Sequence, residues 1–106
     1  METVHVVEYE VNCDDEIVFT NRGWDDFALE NDAAELTGDK VMKRSLWSFI
    51  SGDTARQLYR EILSLARGGE TLRFEFRCDA PDKIRLMEMT VRPADGDRIR
   101  FHTRLK

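Results

Sequence analysis

Residues 53–67 read DTARQLYREILSLAR, and residues 72–78 just behind them read LRFEFRC. In the first stretch Ala55, Leu58, Tyr59, Ile62, Leu65 and Ala66 recur three and four apart, which predicts an amphipathic helix lying on an apolar surface. Thr54 with Gln57 fits a capping box at its start, and Gly68–Gly69 supplies the stop. In the second stretch Leu72, Phe74, Phe76 and Cys78 alternate with Arg73, Glu75 and Arg77, the pattern of a strand with one buried and one charged face. A helix with one greasy stripe and a strand with one greasy face each bury their apolar side against the other.

Toward the C-terminus, Pro81 within residues 80–83 turns the chain. Ile84 to Arg92 is expected to form the next strand, and Asp95–Gly96 marks a hairpin. Ile99, Phe101, Thr103 and Leu105 then alternate with Arg98, Arg100, His102 and Arg104. The fourth strand is ambiguous, because Ile84 and Leu86 lie on one face and Met87, Met89 and Val91 on the other. Either a bulge switches its phase near Leu86, or both faces are partly covered.

Toward the N-terminus, Val4–Val11 and Glu16–Thr20 read as a hairpin joined by the turn residues Asn12, Cys13, Asp14 and Asp15. Val7, Tyr9 and Val11 share one face, and Val4, Val6, Glu8 and Glu10 the other. Asn21 is placed to cap a helix whose inner face carries Trp24, Phe27, Ala28 and Asn31, with Asp25, Asp26 and Glu30 toward water. Asp32 and Glu35 fit a second capping box before a short turn that Gly38 ends. The dense apolar run Val41–Ile50 has no clean period and is expected to form short helical turns on the core. The order is two strands, helices, three strands: an α+β domain with helices covering one face of an antiparallel sheet.

With 106 residues, the chain has room for one domain, residues 1–106, at the usual ~100–150 residues each. No apolar run approaches the ~20 residues of a membrane span, and no signal-peptide pattern opens the chain. A soluble, cytoplasmic domain is expected. The net charge of −5 argues against nucleic-acid binding by bulk charge. That charge is uneven: residues 1–53 carry −9 and residues 54–106 carry +4. Cys13 and Cys78 lie far apart, without metal-ligand spacing, and are expected to be reduced, buried or half-buried thiols.

The segments Asp15-x-Ile17-x-x-x-Asn21-x-x-Trp24-x-x-Phe27-Ala28, Arg44-Ser45-Leu46-Trp47-x-Phe49-Ile50 and Thr54 to Tyr59, taken with the order of elements, resemble the PAS sensory family. The stretch Phe74-x-Phe76-Arg77-Cys78-Asp79-x-Pro81 resembles a bacterial subset of it. One departure is Lys43, where many relatives place a Gly. The resemblance implies a five-stranded antiparallel sheet with the first strand in the middle. It also implies a cavity between sheet and helices and a role in sensing, signal transduction or protein interaction rather than catalysis.

The same resemblance allows cofactors to be weighed. Haem-binding members carry a proximal His on the long helix, and residues 53–67 contain none; His5 and His102 fall on strands. The Cys that flavin sensors use for their adduct has no counterpart, since Asn12–Cys13 lies in the first hairpin. Cys78 sits on an inward strand position, unsuited to a covalent chromophore. Haem, flavin adduct and covalent chromophore are therefore not expected, and neither is a metal. No catalytic motif occurs, and Asp14–Asp15 and Asp25–Asp26 read as turn and helix N-terminal charge.

An apolar ligand would meet Phe19, Phe27, Leu36, Trp47, Phe49, Leu58, Ile62, Phe74, Phe76 and Phe101. Alternatively, these bulky groups fill the space themselves, which is the arrangement expected here. The outer face of the sheet should carry Arg73, Arg77, Arg98, Arg100, His102 and Arg104, opposed by Glu8, Glu10 and Glu75. Val4, Val6 and Val18 lie among them. Val4, Val6, Val18, Arg98, Arg100 and Arg104 are the candidate interface, for a second copy of the chain or a neighbouring signalling domain. Phe74, Phe76 and Phe101 point away from the arginines, so they cannot offer RNA a stacking platform. Two roles remain open: a sensor of a small apolar ligand, and a ligand-free homodimerisation module.

Overall fold

The computed structural model describes residues 6–77 and 86–106. Val4, His5, Cys78, Ile84 and the turn at 80–83 lie outside the described residues. The elements run β1 (Val6–Val11), β2 (Ile17–Thr20), α1 (Arg22–Glu30), a 3-10 turn at Ala34–Leu36, α2 (Gly38–Val41) and a second 3-10 turn at Leu46–Phe49. Then come α3 (Asp53–Arg67), β3 (Leu72–Arg77), β4 (Leu86–Ala94) and β5 (Arg98–Leu105). All pairings are antiparallel, in the order β2-β1-β5-β4-β3.

The middle strand is β5, not β1. β5 pairs with β1 on one side and β4 on the other, and so it joins the opening hairpin to the closing meander. Its alternation is as expected: Ile99, Phe101 and Thr103 are buried, while Arg98, Arg100, His102 and Arg104 take the other face. β4 resolves without a bulge. Met87, Met89 and Val91 are buried, and Leu86 stands on the outer face, 43% exposed.

A bulge lies in the first hairpin instead. Glu10 faces Phe19 and Val11 faces Ile17, so Val18 is the extra residue. The phase switch buries Ile17 and puts Phe19 beside Glu10 on the outer face, where the Arg100 guanidinium lies 5.3 Å from its ring centre. Phe19 is therefore not among the inward residues. The outer edge of β2 is covered by the connection after α2: Ile17 N donates to Arg44 O, Lys43 N to Ile17 O, and Leu46 N to Asp15 O.

Local chemistry sets the helix positions. The Asn21 side-chain oxygen accepts from Trp24 N as the cap of α1 and also from Glu8 N, while its amide donates to Val6 O at 2.8 Å. One side chain thus starts α1 and fastens it to β1. α1 approaches so closely that a Cβ at Gly23 would meet Val6 O at 1.9 Å. The two capping boxes do not form: Asp32 and Ala33 make no side-chain cap, and α3 opens at Asp53 behind Gly52. Gly38 starts α2 rather than ending a turn, and Cys13 is exposed in its hairpin turn.

α3 presents Ile62, Leu63 and Ala66 to the sheet. Leu58, at 53% exposure, lies on the water side of that stripe, because the buried arc is centred toward Leu63. Between α3 and the sheet, Phe101 is fully buried and stacks on Tyr9 at 4.7 Å, with Tyr59 of α3 stacked 6.2 Å away. No helix of the described residues is long and apolar enough to cross a membrane.

Burial raises the phenol pKa of Tyr59, and that of Tyr9 further still, with the nearby Tyr59 adding to the rise. In the unfolded chain both titrate near 10.0. Above that pH the unfolded state binds fewer protons than the folded state, so stability falls as pH rises. The expected slope is up to about 1.4 kcal/mol per pH unit for each tyrosine. Urea unfolding between pH 9 and 11 reads it, and Tyr9→Phe flattens it.

Lys43 adopts φ 69, a left-handed conformation that L side chains enter at a cost. Glycine enters this conformation without that cost. Lys43→Gly is expected to stabilise the fold by up to about 1 kcal/mol, measured as a shift in urea midpoint.

Candidate functional site

The sheet and its helices do not close completely. A cleft of about 450 Å³ remains between α1 with the following 3-10 turn on one side and β1, β3, β4 and β5 on the other. Val7, Phe76, Met87 and Thr103 form its floor; Trp24, Phe27, Ala28, Asn31, Ala33, Leu36 and Phe49 form its roof and sides. Among the described residues, the Asn31 amide and the Thr103 hydroxyl are the polar side-chain groups of this lining besides the committed Trp24 N–H. A volume of this size lies within the ~300–1,000 Å³ of small-molecule sites.

Four of the expected lining residues, Phe27, Leu36, Phe49 and Phe76, surround this cleft. Phe101 and Ile62 lie in the core under α3, and Trp47 and Phe74 pack against that core without reaching the cleft. Phe19 and Leu58 are turned away, as described above. The expected filling is incomplete: Phe27, Leu36, Phe49 and Phe76 border the cleft, but small Ala28 and Ala33 in its roof leave space between them. Sequence reasoning missed Val7, Trp24, Ala28, Asn31, Ala33, Met87 and Thr103 as lining. Small residues on the inner face of α1 and just beyond it, and a hydroxyl at an inward position of β5, were the available signals.

The roof is held by polar latches. Trp24 Nε1 donates to Leu36 O at 2.7 Å, and Gly38 N donates to Asp25 Oδ1 at 2.6 Å. Asp25 is therefore a structural acceptor and not a solvated charge. A Cβ at Gly38 would meet Thr20 Oγ1 at 2.1 Å, so only glycine allows this approach. With its indole N–H committed, Trp24 offers a ligand only its ring.

The second candidate surface is the outer face of the sheet. Its central rows are ion-paired. Glu10 meets Arg98 at 3.4 Å and Arg100 at 2.9 Å; Glu8 lies 3.7 Å from Arg100 and 3.3 Å from His102 Nδ1. Arg104 pairs with Glu88 at 3.0 Å, and Lys106 with Glu75 at 2.7 Å. Of the candidate interface residues, Val6 is exposed beside Arg104, Val18 is half-buried at the bulge, and Val4 lies outside the described residues. Arg100 is half-buried within the ion pairs, whereas Arg98 and Arg104 are exposed. Among the described residues no group of three or more His, Cys, Asp or Glu side chains is placed to hold a metal ion.

No protein-family model matches the chain, and no curated protein matches it in sequence. Among solved structures it is similar to the crystal structure of a PAS domain from a two-component sensor histidine kinase. That match has a TM-score of 0.54 and 16% identity, and covers 95% of this chain and 83% of that one. The fold is PAS-like: five antiparallel strands with the helices on one face.

Asp25→Ala removes the acceptor of Gly38 N. It is expected to cost about 1–2 kcal/mol and to speed amide exchange at Gly38 ahead of exchange in β5, measured by hydrogen–deuterium exchange.

Proposed function

We propose that this chain is a sensory domain of signal transduction, working in the cytoplasm, that takes a small apolar molecule into the cleft beneath α1. One observation carries the reading: about 450 Å³ of nearly uniform apolar lining lies between elements fixed by specific latches. Burying an apolar molecule there gains about 25 cal/mol per Å² of apolar surface removed from water. The Thr103 hydroxyl or the Asn31 amide would orient a single polar group. The ligand is thus an aromatic or aliphatic compound with at most one hydrogen-bonding head, held without a haem, flavin or metal.

The route outward runs through β5. Thr103 lines the cleft, and on the outer face its neighbour His102 contacts Glu8 while Arg104 pairs with Glu88. A ligand pressing on Thr103 shifts those pairs, and a neighbouring signalling domain or second copy seated on the outer face reads the shift. Val6 and Leu86, exposed on that face at 37% and 43%, favour a second reading in which the face dimerises without any ligand.

The two readings separate in one experiment. The chain, with Trp47 replaced by Phe so that Trp24 is the sole tryptophan, is titrated with 1-aminoanthracene, a small aromatic probe with one polar head, and followed by probe emission and by Trp24 fluorescence. Saturable one-to-one binding is expected, and Ala28→Phe, which fills the cleft, should weaken it at least about tenfold with unchanged circular dichroism. Non-saturable emission, or equal binding by Ala28→Phe, overturns the ligand reading. A concentration-dependent mass in light scattering would then leave the dimerisation module.

A further inference from the structure

Beside the β4–β5 turn, at one end of the outer face, lies a hollow of about 410 Å³. Arg92, Arg98 and Arg100 line it together with Glu10 and Asp95, and Pro93 and Ala94 complete the lining. Arg92 and Arg100 are direct cross-strand partners, an arrangement of like charges that destabilises a sheet when nothing bridges them.

The hollow's main carboxylate is already committed. Glu10 Oε1 lies 3.4 Å from Arg98 Nη1 and its Oε2 lies 2.9 Å from Arg100 Nε. The latter is a charge contact made off the hydrogen-bonding axis of that N–H. Arg100 is further held over the Phe19 ring and near Glu8. Two guanidinium groups are thereby fixed in place with donors to spare. Arg92 is exposed and makes no ion pair among the described residues. Arg98 and Arg100 thus draw on Glu10 and Glu8, while Arg92, across the strand from Arg100, has no carboxylate within ion-pair distance among the described residues.

We propose that this hollow binds a small dianionic oxyanion, a phosphate group or a dicarboxylate, that bridges Arg92 to Arg98 and Arg100. Guanidinium forks match the paired oxygens of such groups. The second negative charge offsets the Arg92–Arg100 repulsion that the free protein carries. A monatomic anion neutralises one charge but cannot span the two strands. The site is independent of the cleft and does not rest on the proposed sensory role.

The 106-residue chain is titrated separately with inorganic phosphate and with malonate, at ionic strength held constant with chloride, and backbone amide shifts are followed. Saturable shifts confined to residues 92–100 and Glu10 are expected. Arg92→Gln should weaken binding about tenfold. Arg73→Gln, on the same face outside the hollow, should leave it unchanged. In chloride alone Arg92→Gln is expected to melt no lower than the parent, since it removes an unfavourable pair. Saturation by phosphate alone assigns the ligand to phosphoryl compounds, and saturation by malonate alone to dicarboxylates; either sustains the proposal. Shifts that match chloride at equal ionic strength overturn it, as does an Arg92→Gln titration equal to the parent. So does saturation by a glutamate-rich peptide only, which would make the hollow a protein-docking site.

Discussion

The stack of Tyr9 on Phe101, with ring centres 4.7 Å apart and planes 7° from parallel, joins the two strands at the heart of the sheet. Trp24 of α1 meets Tyr9 edge-on at 5.2 Å, and Tyr59 of α3 also stacks on Phe101. Aromatic pairs of this kind contribute about 0.5–1.5 kcal/mol each beyond the area they bury. Four elements distant in sequence are thus fixed by one column of rings. Because Phe101 is fully enclosed, truncating it would leave a cavity beneath α3 beside Tyr9.

The column also divides the interior. On the α3 side, Ile62, Leu63 and Ala66 meet Met89, Val91 and Ile99 in a packed core. On the α1 side Phe27 and Phe49, together with small Ala28 and Ala33, stand over a floor of Val7, Phe76, Met87 and Thr103 and leave space between. The packed half supplies rigidity, and the open half supplies room. Polar latches keep the roof in place where apolar packing is thin. Such regions belong to the low-stability end of a fold, where binding can shift local order.

Most of the architecture was legible because its signals are periodic. The strict alternation in Leu72–Arg77 and Arg98–Leu105 predicted both faces of both strands, and the three–four spacing of Asp53–Arg67 predicted α3. Single-residue events were harder to see. The bulge at Val18 reversed the expected side of Phe19, because one inserted residue flips every later side chain of a strand. Leu58 carried a helical spacing that its neighbour Leu63 outweighed, since the stripe turned toward the sheet by a fraction of a turn. The cleft itself was misjudged as filled. Counting large side chains says nothing about which side of an aromatic column they occupy. The fourth strand was ambiguous on paper because both its faces carry apolar groups; pairing with β3 and β5 selected the methionines for the interior.

The connection Lys43–Leu46, bonded along β2, has a consequence for assembly. Exposed backbone at the rim of a sheet is a template on which further chains polymerise. Here that rim is occupied from within the same molecule, and the bulge at Val18 bends what is left. This flank therefore offers less unpaired backbone to strand addition than a bare rim would.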